Sequence, residues 1–174
     1  MLFETFYPDC WMDSTYAIDF DELYREGYRG VIFDIDNTLV PHGAPADERA
    51  TALFLHLKEL GFQCCLLSNN QLGRVTMFNK DVNVHYIENA HKPSVKNYRK
   101  AMELMHTTLE NTMFIGDQLF TDVWGAKRCG IFSILVKPID KKEEIQIVLK
   151  RYLERIVLHF YKKTLVKNDN VKSK

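Results

Sequence analysis

Short apolar segments alternate with longer amphipathic segments along most of this chain, and this alternation constrains the fold most strongly. The predicted strands are 30–33, 62–67, 82–87, 112–115 and 131–136. The predicted helices between them are 47–60, 71–79, 93–106 and 121–129. Short all-apolar strands separated by helices are typical of a parallel sheet covered on both faces. The sequence therefore predicts an α/β fold, a three-layer α/β/α sandwich around a mostly parallel sheet of five strands.

The length of 174 residues suits one domain, and the chain contains no repeat or linker that would divide it. We predict a core at about 29–136, preceded by an aromatic and acidic extension at 1–28. A long amphipathic helix is predicted at about 143–163, followed by a frayed basic tail at 164–174. Residues 137–174 contain eleven Lys and Arg against five Asp and Glu, although the whole chain has a net charge of zero.

Composition also limits the cellular setting. The four cysteines form no C-x-x-C pair, and Cys64 and Cys65 lie in an apolar run, which favours reduced thiols in a core. The chain lacks a segment like a signal peptide and an apolar run long enough to cross a bilayer. We expect a cytoplasmic protein. No nucleic-acid-binding motif is recognisable, so no nucleic-acid partner is predicted. The oligomeric state stays open.

Two carboxylates follow the first core strand, in the segment Asp34-Ile35-Asp36-Asn37-Thr38. Residues two apart in an extended segment point the same way, so Asp34 and Asp36 are expected to converge at the end of the strand. Two close buried carboxylates require a cation. Read alone, the segment is equally compatible with a solvent-facing turn, since Asp and Asn favour turns.

Three further polar clusters follow strands or precede helices, where parallel sheets place their sites. The clusters are Ser68-Asn69-Asn70, Lys92-Pro93, and the segment from Gly116 to Asp122 that contains Asp117. Each has an ordinary structural explanation: a turn or helix cap for Ser68, an exposed lysine for Lys92, and a helix first turn for Asp122. The combination is far more specific than any single cluster.

Together the four clusters resemble the motifs of the haloacid dehalogenase-like (HAD) phosphatases, over roughly residues 29–136. Finer matches resemble the capless IIIA subclass of YqeG type, whose kin include phosphatidylglycerophosphate phosphatases. These matches are Phe33 to Val40, Ser68-Asn69-Asn70 with Arg74 and Val75, Gly116 to Ala126, Pro8, and Ala17 to Leu23. The resemblance implies a Rossmann-like, HAD-like core.

The resemblance also implies roles. Asp34 would attack phosphorus to form an aspartyl-phosphate. Asp36 would protonate the leaving alcohol and later deprotonate water. Neighbouring carboxylates are expected to help Asp36 stay protonated at neutral pH. Phosphate would be bound by Thr38, Ser68, Asn69 and Lys92. Mg²⁺ would be held by Asp34, Asp117 and the main-chain carbonyl of Asp36, with support from Asp122.

The spacing of the motifs leaves no room for a cap domain, either between Val40 and Phe62 or between Asn70 and Lys92. An open site suits a macromolecular, lipid-bound or partner-held phosphate. The resemblance implies that the substrate is phosphatidylglycerophosphate, and hence a role in phospholipid metabolism. A phosphatase of a soluble metabolite or phosphoprotein is the alternative, and a non-enzymatic partner-binding domain is the second.

The predicted C-terminal helix permits two interpretations. Its apolar residues recur every three or four positions, at Ile145, Leu149, Tyr152, Ile156 and Phe160. That period is typical of a helix that packs on the core with its charged face in solvent. The basic residues around the stripe support the more specific hypothesis of weak peripheral contact with the anionic inner face of a membrane.

Overall fold

The computed structural model describes residues 3–140 and 145–172, with side chains described for 3–140 and 150–165. Six strands form one sheet, in which every neighbouring pair is parallel. They are β1 Cys10–Met12, β2 Gly30–Phe33, β3 Gln63–Leu67, β4 His85–Ile87, β5 Thr112–Gly116 and β6 Phe132–Val136. Their order across the sheet is β1-β6-β5-β2-β3-β4. The α/β class and the parallel sheet are confirmed.

Helices cover both faces of the sheet, as predicted. They are α1 Phe20–Arg25, α2 Glu48–Leu60, α3 Leu72–Val82, α4 Val95–Met105, α5 Trp124–Cys129 and α6 Ile145–Lys172. Phe33 of β2 lies in an apolar cluster with side chains of α1, α2 and α3. The adjacent Ile32 faces the opposite way, into a cluster with side chains of α4 and α5. Because successive strand residues alternate between faces, both faces of β2 are buried.

The prediction of five strands was wrong, because the N-terminal extension contributes a sixth. β1 pairs with β6 at the edge of the sheet, with Cys10 opposite Ile134. Two helix boundaries also differ from the prediction: α3 continues to Val82, so β4 begins only at His85. α4 begins at Val95 rather than at Pro93, and Lys92 and Pro93 form a turn before it.

The C-terminal helix is longer than predicted and packs on a different face. It extends to Lys172, so the predicted tail is helical up to that residue; the predicted start at Glu143 lies outside the described residues. Val157 and Tyr161 are buried, whereas Tyr152 is 65% exposed and Ile156 and Phe160 are each 43% exposed. Of the two interpretations, packing on the core therefore does not describe Tyr152 and Ile156, whereas Phe160 stacks on the Phe3 ring with 5.6 Å between centroids. The side chains of Ile145 and Leu149 lie outside the described part of the chain.

The connections that follow β2 and β3 are short, as the capless interpretation requires. The chain between β2 and β3 contains one helix, α2, and the chain from β3 to Lys92 contains α3 and β4. The described residues therefore form no cap domain. Within the same residues, no helix combines the length and the apolar character needed to span a bilayer.

A close helix approach positions part of the candidate site. Gly125 of α5 lies against the buried Tyr98 of α4, whose hydroxyl donates to the carbonyls of Thr121 (3.0 Å) and Asp122 (3.2 Å). A Cβ atom at position 125 would overlap that hydroxyl. The absence of a side chain at Gly125 thus permits the bonds that fix the backbone around Asp122.

We therefore expect Gly125→Ala to destabilise the protein by about 1–3 kcal/mol, the usual cost of overpacking a core. Gly73→Ala is the matched control, because Gly73 also lies in a helix but has open space where a Cβ would be. That variant should be neutral or slightly stabilising. Urea unfolding of both variants measures the difference, and equal stabilities would contradict the role of the Gly125–Tyr98 contact.

Candidate active site

Three buried carboxylates meet at the carboxyl edge of the sheet. Asp34 directly follows β2, and Asp117 directly follows the neighbouring strand β5. Asp122 lies in a π-helical turn, Leu119–Val123, that continues into α5. One oxygen from each carboxylate lies within 4.8 Å of the others. The sequence predicted that these three residues would come together, and the structure places them so.

Lys92 joins two of the three carboxylates. Its Nζ donates to Oδ1 of Asp34 at 2.6 Å and to Oδ1 of Asp122 at 2.7 Å. The Asn69 side chain fixes the lysine backbone, since its Oδ1 accepts the Lys92 N–H at 2.7 Å and its Nδ2 donates to the Lys92 carbonyl at 3.5 Å. Asn69 was predicted to bind phosphate, but in this structure its amide positions the lysine.

Arg151 of α6 neutralises the third carboxylate, a role that was not predicted from the sequence. One Nη of Arg151 contacts Oδ2 of Asp117, and the other donates to the Asp117 carbonyl at 2.5 Å and to Glu154 Oε2 at 2.9 Å. Glu154 is itself buried and accepts the N–H of Leu119 at 2.8 Å. The C-terminal helix is therefore attached to the site by charged groups as well as by apolar packing.

Burial dominates the electrostatics of this cluster. It raises the pKa of Asp34 to about 6, although the charge of Lys92 opposes the shift. Burial likewise raises the pKa of Asp117 well above its ordinary value, against the opposing charge of Arg151. For Lys92, burial alone would lower the pKa, but the charges of Asp122 and Asp34 outweigh burial and raise it. The lysine therefore stays charged at neutral pH, whereas both acids ionise less readily than in water.

Two hydroxyl side chains lie at the same edge of the sheet. Thr38 is buried, and its Oγ1 donates to Oδ1 of Asp117 at 3.3 Å. Ser68 follows β3 and is also buried; its Oγ accepts the backbone N–H of Asn70 at 3.1 Å. The interpretation of Ser68 as a local turn former is thus consistent with its contacts. Its role in binding phosphate stays a prediction.

The Asp36 side chain does not join the three-carboxylate cluster. Arg74 donates to its Oδ1 from Nε at 3.2 Å and from Nη2 at 2.8 Å, and the Gly43 N–H donates to the same oxygen at 2.8 Å. Asn70 Nδ2 donates to Oδ2 at 2.6 Å. We expected neighbouring carboxylates around Asp36. Its hydrogen-bond partners are a cation and amide groups, while the Asp34 carboxylate lies near enough for the two charges to interact. Its main-chain carbonyl stays a predicted metal ligand.

The N-terminal segment supports the loop that carries these residues. The Thr15 hydroxyl donates to the Thr38 carbonyl at 2.8 Å, and the Tyr16 hydroxyl donates to the Leu39 carbonyl at 2.6 Å. Within the loop, Asn37 adopts a left-handed conformation with φ of 62°, which Asn tolerates better than most residues. The extension before β2 thus fixes the turn that follows Asp34.

The donor set suits a divalent cation such as Mg²⁺. Carboxylate oxygens are the hard ligands that Mg²⁺ prefers. Within residues 3–140 and 150–165, two cationic side chains, Lys92 and Arg151, pair with the three carboxylates, so these groups carry less positive than negative charge when all are ionised. Asp34 and Asp117 are the residues we expect to hold the ion directly. Asp122 is already bound by Lys92 and by the Gln118 N–H, which suits a supporting role.

Sequence comparison identifies the family. A family model described as "HAD-hyrolase-like" matches residues 89–145. The chain is 34% identical to "Probable phosphatase YqeG" of Bacillus subtilis (strain 168) over 164 residues, which are 94% of this chain and 95% of that protein. This chain belongs to the YqeG family of HAD-like phosphatases. Asp34 and Asp117 directly follow strands, and Lys92 lies shortly before a helix, as the sequence motifs predicted.

A more distant relative has a named substrate. "Phosphatidylglycerophosphate phosphatase 1, chloroplastic/mitochondrial" of Arabidopsis thaliana is 26% identical over 160 residues. The match covers 86% of this chain but 45% of the plant protein. The relationship therefore concerns a little under half of the plant enzyme.

Solved structures agree on the fold. The cobalt-bound deoxy-D-mannose-octulosonate 8-phosphate phosphatase of Haemophilus influenzae has a TM-score of 0.50 and 20% identity, covering 62% of this chain and 69% of its own. An uncharacterized protein from Listeria monocytogenes serotype 4b has a TM-score of 0.52 and 16% identity, covering 67% and 86%. At these identities the likeness concerns the fold alone.

Arg151 and a metal ion would compete for the Asp117 carboxylate, which generates a prediction. Without metal, Arg151→Gln should lose about 3 kcal/mol of stability, because Asp117 and Glu154 stay buried without their counter-charge. With saturating Mg²⁺, the variant should gain more stability than the wild type, because the ion no longer displaces a guanidinium. Thermal unfolding with chelator and with Mg²⁺ measures both effects.

Lys150→Gln is the control, since it removes one positive charge from an exposed position of the same helix. It should leave both the metal-free stability and the increment with Mg²⁺ close to the wild type. A metal-dependent increment that is the same in Arg151→Gln and wild type would show that Arg151 and the ion do not compete.

Proposed function

We propose that this protein is a Mg²⁺-dependent phosphomonoester hydrolase that forms an aspartyl-phosphate on Asp34 and acts on phosphatidylglycerophosphate. The observation that carries the proposal is the buried Asp34 carboxylate, held by Lys92 beside Asp117 and Asp122. The YqeG-type relative supports a phosphatase. The named activity of the Arabidopsis relative supports the lipid headgroup as substrate.

The geometry suits nucleophilic attack by Asp34. Its Oδ1 is oriented by Lys92 Nζ at 2.6 Å, which leaves Oδ2 for the phosphorus atom. A phosphate dianion repels a carboxylate, and the positive charge of Lys92 offsets that repulsion. Bound Mg²⁺ would supply further charge stabilisation for the phosphoryl oxygens during transfer. Thr38 and Ser68 would donate their hydroxyl hydrogens to the same oxygens.

Asp36 would move the protons, which requires a change in its contacts. In the structure, both of its carboxylate oxygens accept hydrogen bonds from Arg74, Asn70 and Gly43. To protonate a leaving alcohol and then accept a proton from water, Asp36 has to exchange one of these donors for the reacting oxygen. Asn70 is the candidate, because among residues 3–140 and 150–165 it alone donates to Oδ2.

Asp34→Asn tests the nucleophile directly. We expect turnover to fall below about one-thousandth of the wild-type rate, because an amide cannot form the acyl-phosphate. Phosphate release should be measured on short-chain phosphatidylglycerophosphate, sugar phosphates, nucleotides and a phosphopeptide, with unfolding curves to show that the variant is folded.

The panel also separates the alternatives. If kcat/KM is highest on a soluble phosphate, the substrate is a metabolite and not the lipid. Activity of Asp34→Asn near that of the wild type would refute Asp34 as the nucleophile. A wild-type protein without activity on any member in the presence of Mg²⁺ would favour a partner-binding domain.

We also propose that the protein works in the cytoplasm and contacts the inner face of the membrane through α6. Apolar side chains of this helix are exposed beside basic ones: Tyr152, Leu153, Ile156 and Phe160 beside Lys150, Arg155 and Lys163. An amphipathic surface of this type binds anionic lipid by apolar burial and by charge.

Vesicle flotation tests this contact. The wild type should co-float with phosphatidylglycerol vesicles at low salt and less so at high salt, because salt screens the basic residues. A variant with both Ile156→Ser and Phe160→Ser should float less at either salt concentration. Recovery of the wild type entirely in the lipid-free fraction at low salt would refute the proposal.

A further inference from the structure

A groove adjoins the candidate active site between the end of β6 and α6. Its volume is about 490 Å³, within the range of roughly 300–1,000 Å³ that is usual for small-molecule sites. Asp117 and Arg151 form one part of its wall, so the groove opens directly beside the carboxylate cluster. Nothing in the proposed phosphoryl-transfer chemistry uses the rest of this space.

The lining of the groove is mostly apolar. Trp11 of β1, Leu135 of β6, the following Pro138, and Leu158 of α6 all line it. A site for a free sugar phosphate or for inorganic phosphate would instead require polar groups on most sides. The chemistry of these walls favours an occupant with an apolar portion.

Arg155 adds a cation to this apolar lining. It lies on α6, one turn after Arg151, and its side chain is exposed. Within residues 3–140 and 150–165, no carboxylate pairs with Arg155. The acidic side chains in the wall are Asp117, Asp140 and Glu154, and none of them pairs with Arg155. Glu154 is bound by Arg151 and accepts the Leu119 N–H. Arg155 is therefore available to a second anion of the ligand.

We propose that this groove binds the leaving group of the substrate, and that Arg155 pairs with a phosphodiester in that leaving group. The inference rests on the proposed function, since it requires the phosphomonoester to lie at Asp34 and Asp117. It adds the subsite that recognises the rest of the substrate, namely the anionic phosphodiester and the apolar chains of the leaving alcohol. Arg155 acts on specificity and takes no part in bond making or breaking.

Binding of the reaction product separates this inference from catalysis. Dihexanoyl phosphatidylglycerol, below its micelle concentration, carries the phosphodiester and the chains but no phosphomonoester. Isothermal titration should show saturable binding to the wild type, weakened about tenfold in Arg155→Glu, as expected for loss of a charge-assisted hydrogen bond. Lys80→Glu makes a like charge reversal at an exposed position of α3, outside both the groove and the proposed membrane surface, and should bind as the wild type does.

Kinetics provide a second measurement on the same variants. With short-chain phosphatidylglycerophosphate, Arg155→Glu should raise KM about tenfold and change kcat less than twofold. With p-nitrophenyl phosphate, which lacks the second anion, both constants should stay at wild-type values. Circular dichroism and unfolding curves confirm that the exposed substitutions preserve the fold.

The outcomes distinguish the two proposals. No binding of the product by the wild type, or equal loss in Arg155→Glu and Lys80→Glu, would overturn the groove as a subsite. So would an equal effect of Arg155→Glu on both phosphomonoesters. Wild-type-like activity of Asp34→Asn would overturn the proposed chemistry while leaving the binding result intact.

Discussion

The structure depends on placing enough positive charge beside three carboxylates that are removed from water. Buried like charges are costly unless cations and hydrogen bonds compensate them. Lys92 comes from the turn before α4 and Arg151 from α6, so two segments far apart in sequence must both reach the edge formed by β2 and β5. Among the described residues the cluster still carries more negative than positive charge when fully ionised, which suits a divalent cation.

Most of the fold was predictable because its central strands are short and apolar on both sides. β2, β3, β5 and β6 have buried residues at nearly every position, and that pattern is distinctive when helices intervene. β1 was missed because it has three half-buried residues at the edge of the sheet, with no apolar run to mark it. Its place depends on pairing with β6, a contact between distant parts of the sequence.

The site was predictable where its residues follow strands and less so where helices supply them. The positions of Asp34, Ser68 and Asp117 at one edge were predictable because the carboxyl ends of parallel strands lie together. Arg151 and Glu154 were missed because charged residues on a helix are ordinarily assigned to its solvent face. The two are spaced three apart and turn inward together as a pair, whereas Tyr152 and Ile156 beside them stay exposed. The spacing of apolar residues alone cannot show that charged side chains of a helix are buried while apolar ones are exposed.

The attachment of α6 to the site also has a temporal consequence. The residues that bring the carboxylates together, 34 to 122, emerge from the ribosome before Arg151, which compensates one of them. Domains usually fold as units once their sequence is available. Because the carboxylates are costly to bury without their cations, the edge formed by β2 and β5 is completed only after α6 has been synthesised.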